Sequence, residues 1–136
     1  MPFITKKYKF CAAHKYWNHN WDLKENKSNF FDDIHLHGHN YKLFITVSGP
    51  IDDESGFIIN LKNLNDIINK KVINILDHSD INNDIKWFKN KQPSTENLVV
   101  FIWEQIVDNI KSPAKLHSIK LHETETIYCE FFGYEK

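Results

Sequence analysis

The chain has 136 residues, with 17 Lys and Arg against 18 Asp and Glu, so its formal charge is -1 with the histidines neutral. That length suits one domain with a core that needs no disulfide or metal staple, and the balanced charge excludes the basic excess that nucleic-acid binding demands. No apolar run approaches the ~18 to 20 residues that cross a bilayer, the first residues lack a secretory apolar segment, and Cys11 and Cys129 are the only cysteines. A single soluble domain over residues 1–136 in a reducing cytoplasm is expected, with no membrane or nucleic-acid partner.

Residues 3–14 are β-rich, with Phe3, Thr5, Tyr8 and Phe10 among them, and read as a first strand ending near His14. Lys15 to Phe31 is polar and aromatic without a clear period and reads as a long loop. From His37, the residues His39, Tyr41, Leu43, Ile45 and Val47 alternate with Gly38, Asn40, Lys42, Phe44, Thr46 and Ser48, a period-two strand ended by Gly49-Pro50. Leu61, Leu64, Ile67, Ile68, Val72, Ile75 and Leu76 recur at steps of three and four, which predicts an amphipathic helix with Asn60 as its N-cap. A loop from Asp77 to Gln92 leads to Pro93-Ser94-Thr95-Glu96, a helix start, and Leu98, Val99, Ile102, Trp103, Ile106, Val107 and Ile110 form a second stripe. Lys115–Leu121 and Ile127–Phe132 read as closing strands. The order β-β-α-α-β-β predicts an α+β fold, a four-stranded antiparallel sheet with two helices on one face.

Histidine is the informative excess. His37 and His39, two apart on a strand, project from the same face about 6.6 to 6.8 Å apart along the backbone, and can converge on one zinc. Gly38 between them leaves room for close approach of another group. His35 is four residues from His39 and too distant on an extended strand, so a third ligand must come from elsewhere, and His14, at the end of the first strand, is the natural candidate. Three histidines leave the fourth zinc position open, as catalytic sites do.

Phe10-Cys11-Ala12-Ala13-His14 and His37-Gly38-His39-Asn40-Tyr41 resemble the two zinc-ligand motifs of the 6-pyruvoyl-tetrahydropterin synthase and 6-carboxytetrahydropterin synthase family. Leu76-Asp77-His78 resembles its catalytic Asp-His pair, Pro93 to Leu98 its substrate-contacting helix start, and Leu121-His122-Glu123-Thr124 the strand whose glutamate anchors the pterin. The resemblance implies a zinc-dependent lyase acting on 7,8-dihydroneopterin triphosphate, a substrate shared by biopterin, queuosine and folate routes. It also implies the tunnelling fold, whose trimers close into a β-barrel and pair into a homo-hexamer with active sites between subunits. By the same resemblance, Zn2+ is held by His14, His37 and His39, and substrate is bound by Ser94, Thr95, Glu96 and Glu123. The resemblance also implies that His78 carries protons, with Asp77 setting its tautomer and supporting its charged form directly or across a subunit boundary.

One departure stands out. The tetrahydropterin synthases carry a cysteine four to six residues before the HGH motif, where this chain has Phe31, Asp32 and Asp33. A branch that cleaves a carbon-carbon bond to give 6-hydroxymethyl-7,8-dihydropterin uses a glutamate three residues before the first histidine, where this chain has Ile34. Cys11 faces away from His14 on an extended strand, so Asp33 or His35 is expected as the replacement base. A catalytically altered relative that binds a pterin or purine-like ligand is the alternative.

Overall fold

A computed structural model describes residues 1–134. The first strand, β1 (Phe3–His14), is followed by a short helix, α1 (Leu23–Phe30), and a 3-10 turn (Phe31–Ile34) that hands the chain to β2 (His37–Ser48). The segment expected to be a loop from Lys15 to Phe31 therefore contains a helix. It has no apolar stripe to announce it. Asp22 caps it by accepting from the Glu25 N–H, and the buried Asn26 side chain knits it to the preceding turn, accepting from Asn18 N–H and donating to the carbonyls of Asn18, Trp21 and Asp22.

The long amphipathic helix expected from Leu61 to Leu76 is three pieces: α2 (Leu61–Ile68), a π-helical turn (Asn69–Ile73) and α3 (Asn74–Leu76). Its fully buried residues, Leu64, Ile68, Val72 and Leu76, recur every four positions. An ideal helix of 3.6 residues per turn rotates such a row off its face, and the wider turn resets it. Asn60 caps α2 as expected. After α3 come a two-residue strand, β3 (Ser79–Asp80), one helical turn, α4 (Ile81–Asp84), the helix α5 (Thr95–Ile106) capped by Ser94, then β4 (Lys115–His122) and β5 (Tyr128–Phe131).

The sheet is five-stranded and mixed, in the order β3-β1-β2-β4-β5. This corrects the expected four-stranded antiparallel sheet: β3 adds itself parallel to β1 through Ala12–Ser79 and Ala13–Asp80. So short a pairing, inside a segment with no apolar alternation, carries no strand signal. The other ladders are antiparallel, and His117 bulges from β4 between the Thr46–Ser118 and Val47–Leu116 pairs.

One face of the sheet, with Tyr8, Phe10, Tyr41, Leu43, Ile45, Val47, Ile119 and Leu121, packs against the stripes of α2 and α5. Among the described residues the other face carries no helix. Across it the register sets Lys9 beside Lys42 and His122, and Lys7 beside Phe44 and Lys120; Glu130 next to Lys120 is the one carboxylate in those two rows. The described residues contain no helix long and apolar enough to cross a membrane.

Candidate metal centre

The pairing of His14 with His37 and of Ala12 with His39 brings three imidazoles to one end of the sheet, on its helix-covered face. They extend the rows that begin in the core as Tyr8–Leu43 and Phe10–Tyr41. The ring centroids are 4.6 to 5.0 Å apart, and one ligand nitrogen from each histidine lies within 4.8 Å of the other two.

Backbone carbonyls fix which nitrogen is free. Nδ1–H of the fully buried His14 donates to the Pro93 carbonyl at 2.7 Å, and Nδ1–H of His37 donates to the His35 carbonyl at 2.8 Å. Both rings are left with a lone pair on Nε2. His14 Nε2 is buried and has no hydrogen-bond partner. Burial, helped by the neighbouring charges of His37 and His39, lowers the His14 pKa to about 4 against the opposing pull of the Pro93 carbonyl and Asp33, so the ring is neutral near pH 7. A buried acceptor without a donor costs free energy, and three converging imidazole lone pairs are the donor set of a tetrahedral divalent metal with one position open.

Two carboxylates border the trio. Glu123 Oε1 lies 3.4 Å from His14 Nε2 and 3.7 Å from His39 Nε2, and Asp33 Oδ1 lies 3.7 Å from His37 Nε2. Glu123 follows the end of β4, held by its N–H bond to the Ile127 carbonyl. The neighbouring Glu125 is exposed in the turn. Both expected bases are exposed; Asp33 has its carboxylate beside the ligand His37, whereas His35 offers that ligand its carbonyl rather than its ring.

The start of α5 forms the wall above His14. Ser94 Oγ accepts from Asn97 N–H as the cap, Thr95 is buried, and Glu96 is exposed in the first turn. Gln92 clamps this wall to the end of β1, its side chain accepting from Trp17 N–H and donating to Trp17 O. Asp77 and His78 lie elsewhere. Asp77 accepts from the Cys11 N–H, and the exposed His78 side chain borders a depression of about 310 Å³ together with Cys11, Ala12, Gly38, His39 and Asn40. A Cβ at Gly38 would meet nothing closer than Ala12 O at 3.5 Å, an ordinary contact, so no group of this chain makes the close approach that the glycine was expected to allow. Cys11 does face away from His14.

Sequence reasoning missed Tyr16. Its ring lies 5.0 Å from that of His14 and 5.5 Å from that of Phe30, and its N–H donates to the Asp33 carbonyl at 2.8 Å. It belongs to a stretch without period, so no pattern marked it.

Known proteins resemble this chain over nearly its whole length. The family model described as 6-pyruvoyl tetrahydropterin synthase matches residues 3–134. The 6-pyruvoyl tetrahydrobiopterin synthase of Drosophila melanogaster is 37% identical over 98% of this chain and 80% of its own, and that of Dictyostelium discoideum is 32% identical over 96% and 95%. The solved structure of Caenorhabditis elegans 6-pyruvoyl tetrahydropterin synthase superposes with a TM-score of 0.88 at 26% identity, covering 98% of both chains.

Proposed function

Since the chain belongs to the 6-pyruvoyl tetrahydropterin synthase family, we propose that it is a zinc-dependent lyase acting on 7,8-dihydroneopterin triphosphate. The observation that carries this reading is the convergence of three imidazoles on a point flanked by Asp33 and Glu123, with His14 Nε2 buried and unpartnered. His14, His37 and His39 would hold the zinc. When bound there, zinc supplies Lewis acidity to hydroxyls of the substrate side chain.

In this reading Glu123 accepts two N–H bonds from the amino-pyrimidinone edge of the pterin and so fixes its orientation. Ser94, Thr95 and Glu96 form the wall against which the ring system lies. Asp33, tethered to a ligand four residues on, takes the proton from the substrate side chain. A hydrated carboxylate is a weak base, so that role requires substrate to displace the water around it. His78 is exposed beside Asp77 and outside the group of three histidines, and in this reading its part as second acid/base group, supported by Asp77, is played at a site completed by a neighbouring copy. The acting form is then a homo-oligomer, a hexamer built as a dimer of trimers, in the cytoplasm.

The test is to incubate zinc-loaded protein with dihydroneopterin triphosphate, follow triphosphate release and identify the pterin by mass. A 6-pyruvoyl or 6-carboxy product with triphosphate released is expected. 6-Hydroxymethyl-7,8-dihydropterin would assign carbon-carbon cleavage instead, and an unchanged substrate that still binds would make the chain a binding protein.

A further inference from the structure

A groove of about 1050 Å³ lies beyond the end of β1, between residues 15–20 on one side and residues 82–83 and 88–92 on the other. None of the three histidines lines it, yet it is built on the same two segments as the metal centre. Lys15 follows the ligand His14, and Gln92 precedes Pro93, whose carbonyl holds that ligand. Two reciprocal amide clamps fix its walls. Asn82 accepts from Lys15 N–H and donates to Lys15 O, and Gln92 does the same with Trp17. A groove held in this way has little to reorganise when it fills.

The lining carries one sign of charge. Lys15, Lys89 and Lys91, all exposed, border the groove, and among the described residues no aspartate or glutamate does. Nor does any described carboxylate form a salt bridge with one of the three. Lys91 rests its ammonium over the Trp87 ring, 3.6 Å from its centre, which fixes the place of that charge. Asp80 accepts from Asn83 Nδ2 at 2.8 Å but stands outside the lining. In a chain with a formal charge of -1, three uncompensated ammoniums on one concave surface are a local excess that attracts anions. A divalent cation finds no carboxylate here, and an uncharged sugar would leave the lysines unpaired. Asn18, Asn20 and Asn90 add amide donors along the groove. We propose that this groove binds an oligophosphate, whose charges are spread along a chain of oxygens that accept from ammonium and amide N–H groups together.

The probe is inorganic triphosphate, titrated into the protein by calorimetry at constant ionic strength. Triphosphate also coordinates zinc, so the binding is measured both in zinc-loaded wild type and in His37→Ala, where the groove should still take it up. Replacing both Lys15→Gln and Lys89→Gln should weaken binding about tenfold or more in the His37→Ala background, and in the wild-type background should leave zinc content and circular dichroism unchanged. Replacing Lys9→Gln and Lys42→Gln on the helix-free face should leave binding as it was. Absence of binding in correctly folded His37→Ala, no effect of the Lys15 and Lys89 changes, or an equal loss from the Lys9 and Lys42 changes would overturn the groove as the site. The binding needs no turnover, so it stands or falls apart from the lyase reading. Two sources of the phosphate chain are then separated by kinetics. A raised KM for dihydroneopterin triphosphate in the Lys15 and Lys89 variant assigns the groove to the substrate's own chain, and an unchanged KM assigns it to a free oligophosphate.

Discussion

The proton of His14 sits on Nδ1 because the Pro93 carbonyl takes it, and burial keeps the ring from acquiring a second one. A folded-state pKa of about 4 against about 6.5 in the unfolded chain means that the unfolded state binds more protons between those values. The stability His14 contributes is therefore complete above about pH 6.5 and is lost as pH falls toward 4, by up to about 3 kcal/mol. Thermal denaturation of metal-free protein across that window should show the loss. His37→Ala should abolish stoichiometric zinc with the fold intact, as read by metal analysis and circular dichroism, and undiminished zinc would sink the metal centre. Asp33→Asn should slow turnover by about a hundredfold or more while zinc occupancy stays at one; a normal rate would place the base elsewhere. His37 and His39 were legible because alternation in a strand fixes their common face, and His14 because its strand ends there. Pro93 O and the contacts of Tyr16 were not: a carbonyl leaves no mark in a sequence, and Tyr16 meets His14, Phe30 and Asp33 only through chain reversal.

Elements built on apolar periodicity were the readable ones. β2, α5 and the buried row from Leu64 to Leu76 follow from spacing, and β1 from its β-rich residues, although spacing alone did not show that a row of fours needs a π-helical turn to stay on one face. α1 was unreadable because polar bonds hold it. Asn26 serves four backbone groups at once, so Asn26→Ala should cost about 1 to 3 kcal/mol and raise hydrogen exchange across residues 18–30. An unchanged melting temperature would show that water replaces the side chain without loss. β3 was hidden for a related reason, since two residues make a strand only when β1 is already there to pair with them.

At the scale of the whole molecule, the sheet has two edges, β1, which β3 covers only at Ala12 and Ala13, and the short β5, and Ile127, Tyr128 and Phe132 are exposed at or near the second. Pairing such edges with further copies removes an aggregation liability, and light scattering at working concentration should find an oligomer; a monomer would contradict the proposed assembly. The helices occupy one face of the sheet, so a closed ring of copies must turn the other face inward. That face carries Lys7, Lys9, Lys42 and Lys120, and closure gathers these four from every subunit around a common axis. Their mutual repulsion is then a term that opposes closure. Because a Debye length near 10 Å at 0.1 M salt screens charges across such a space, raising ionic strength should strengthen association here, the reverse of an assembly held by surface ion pairs.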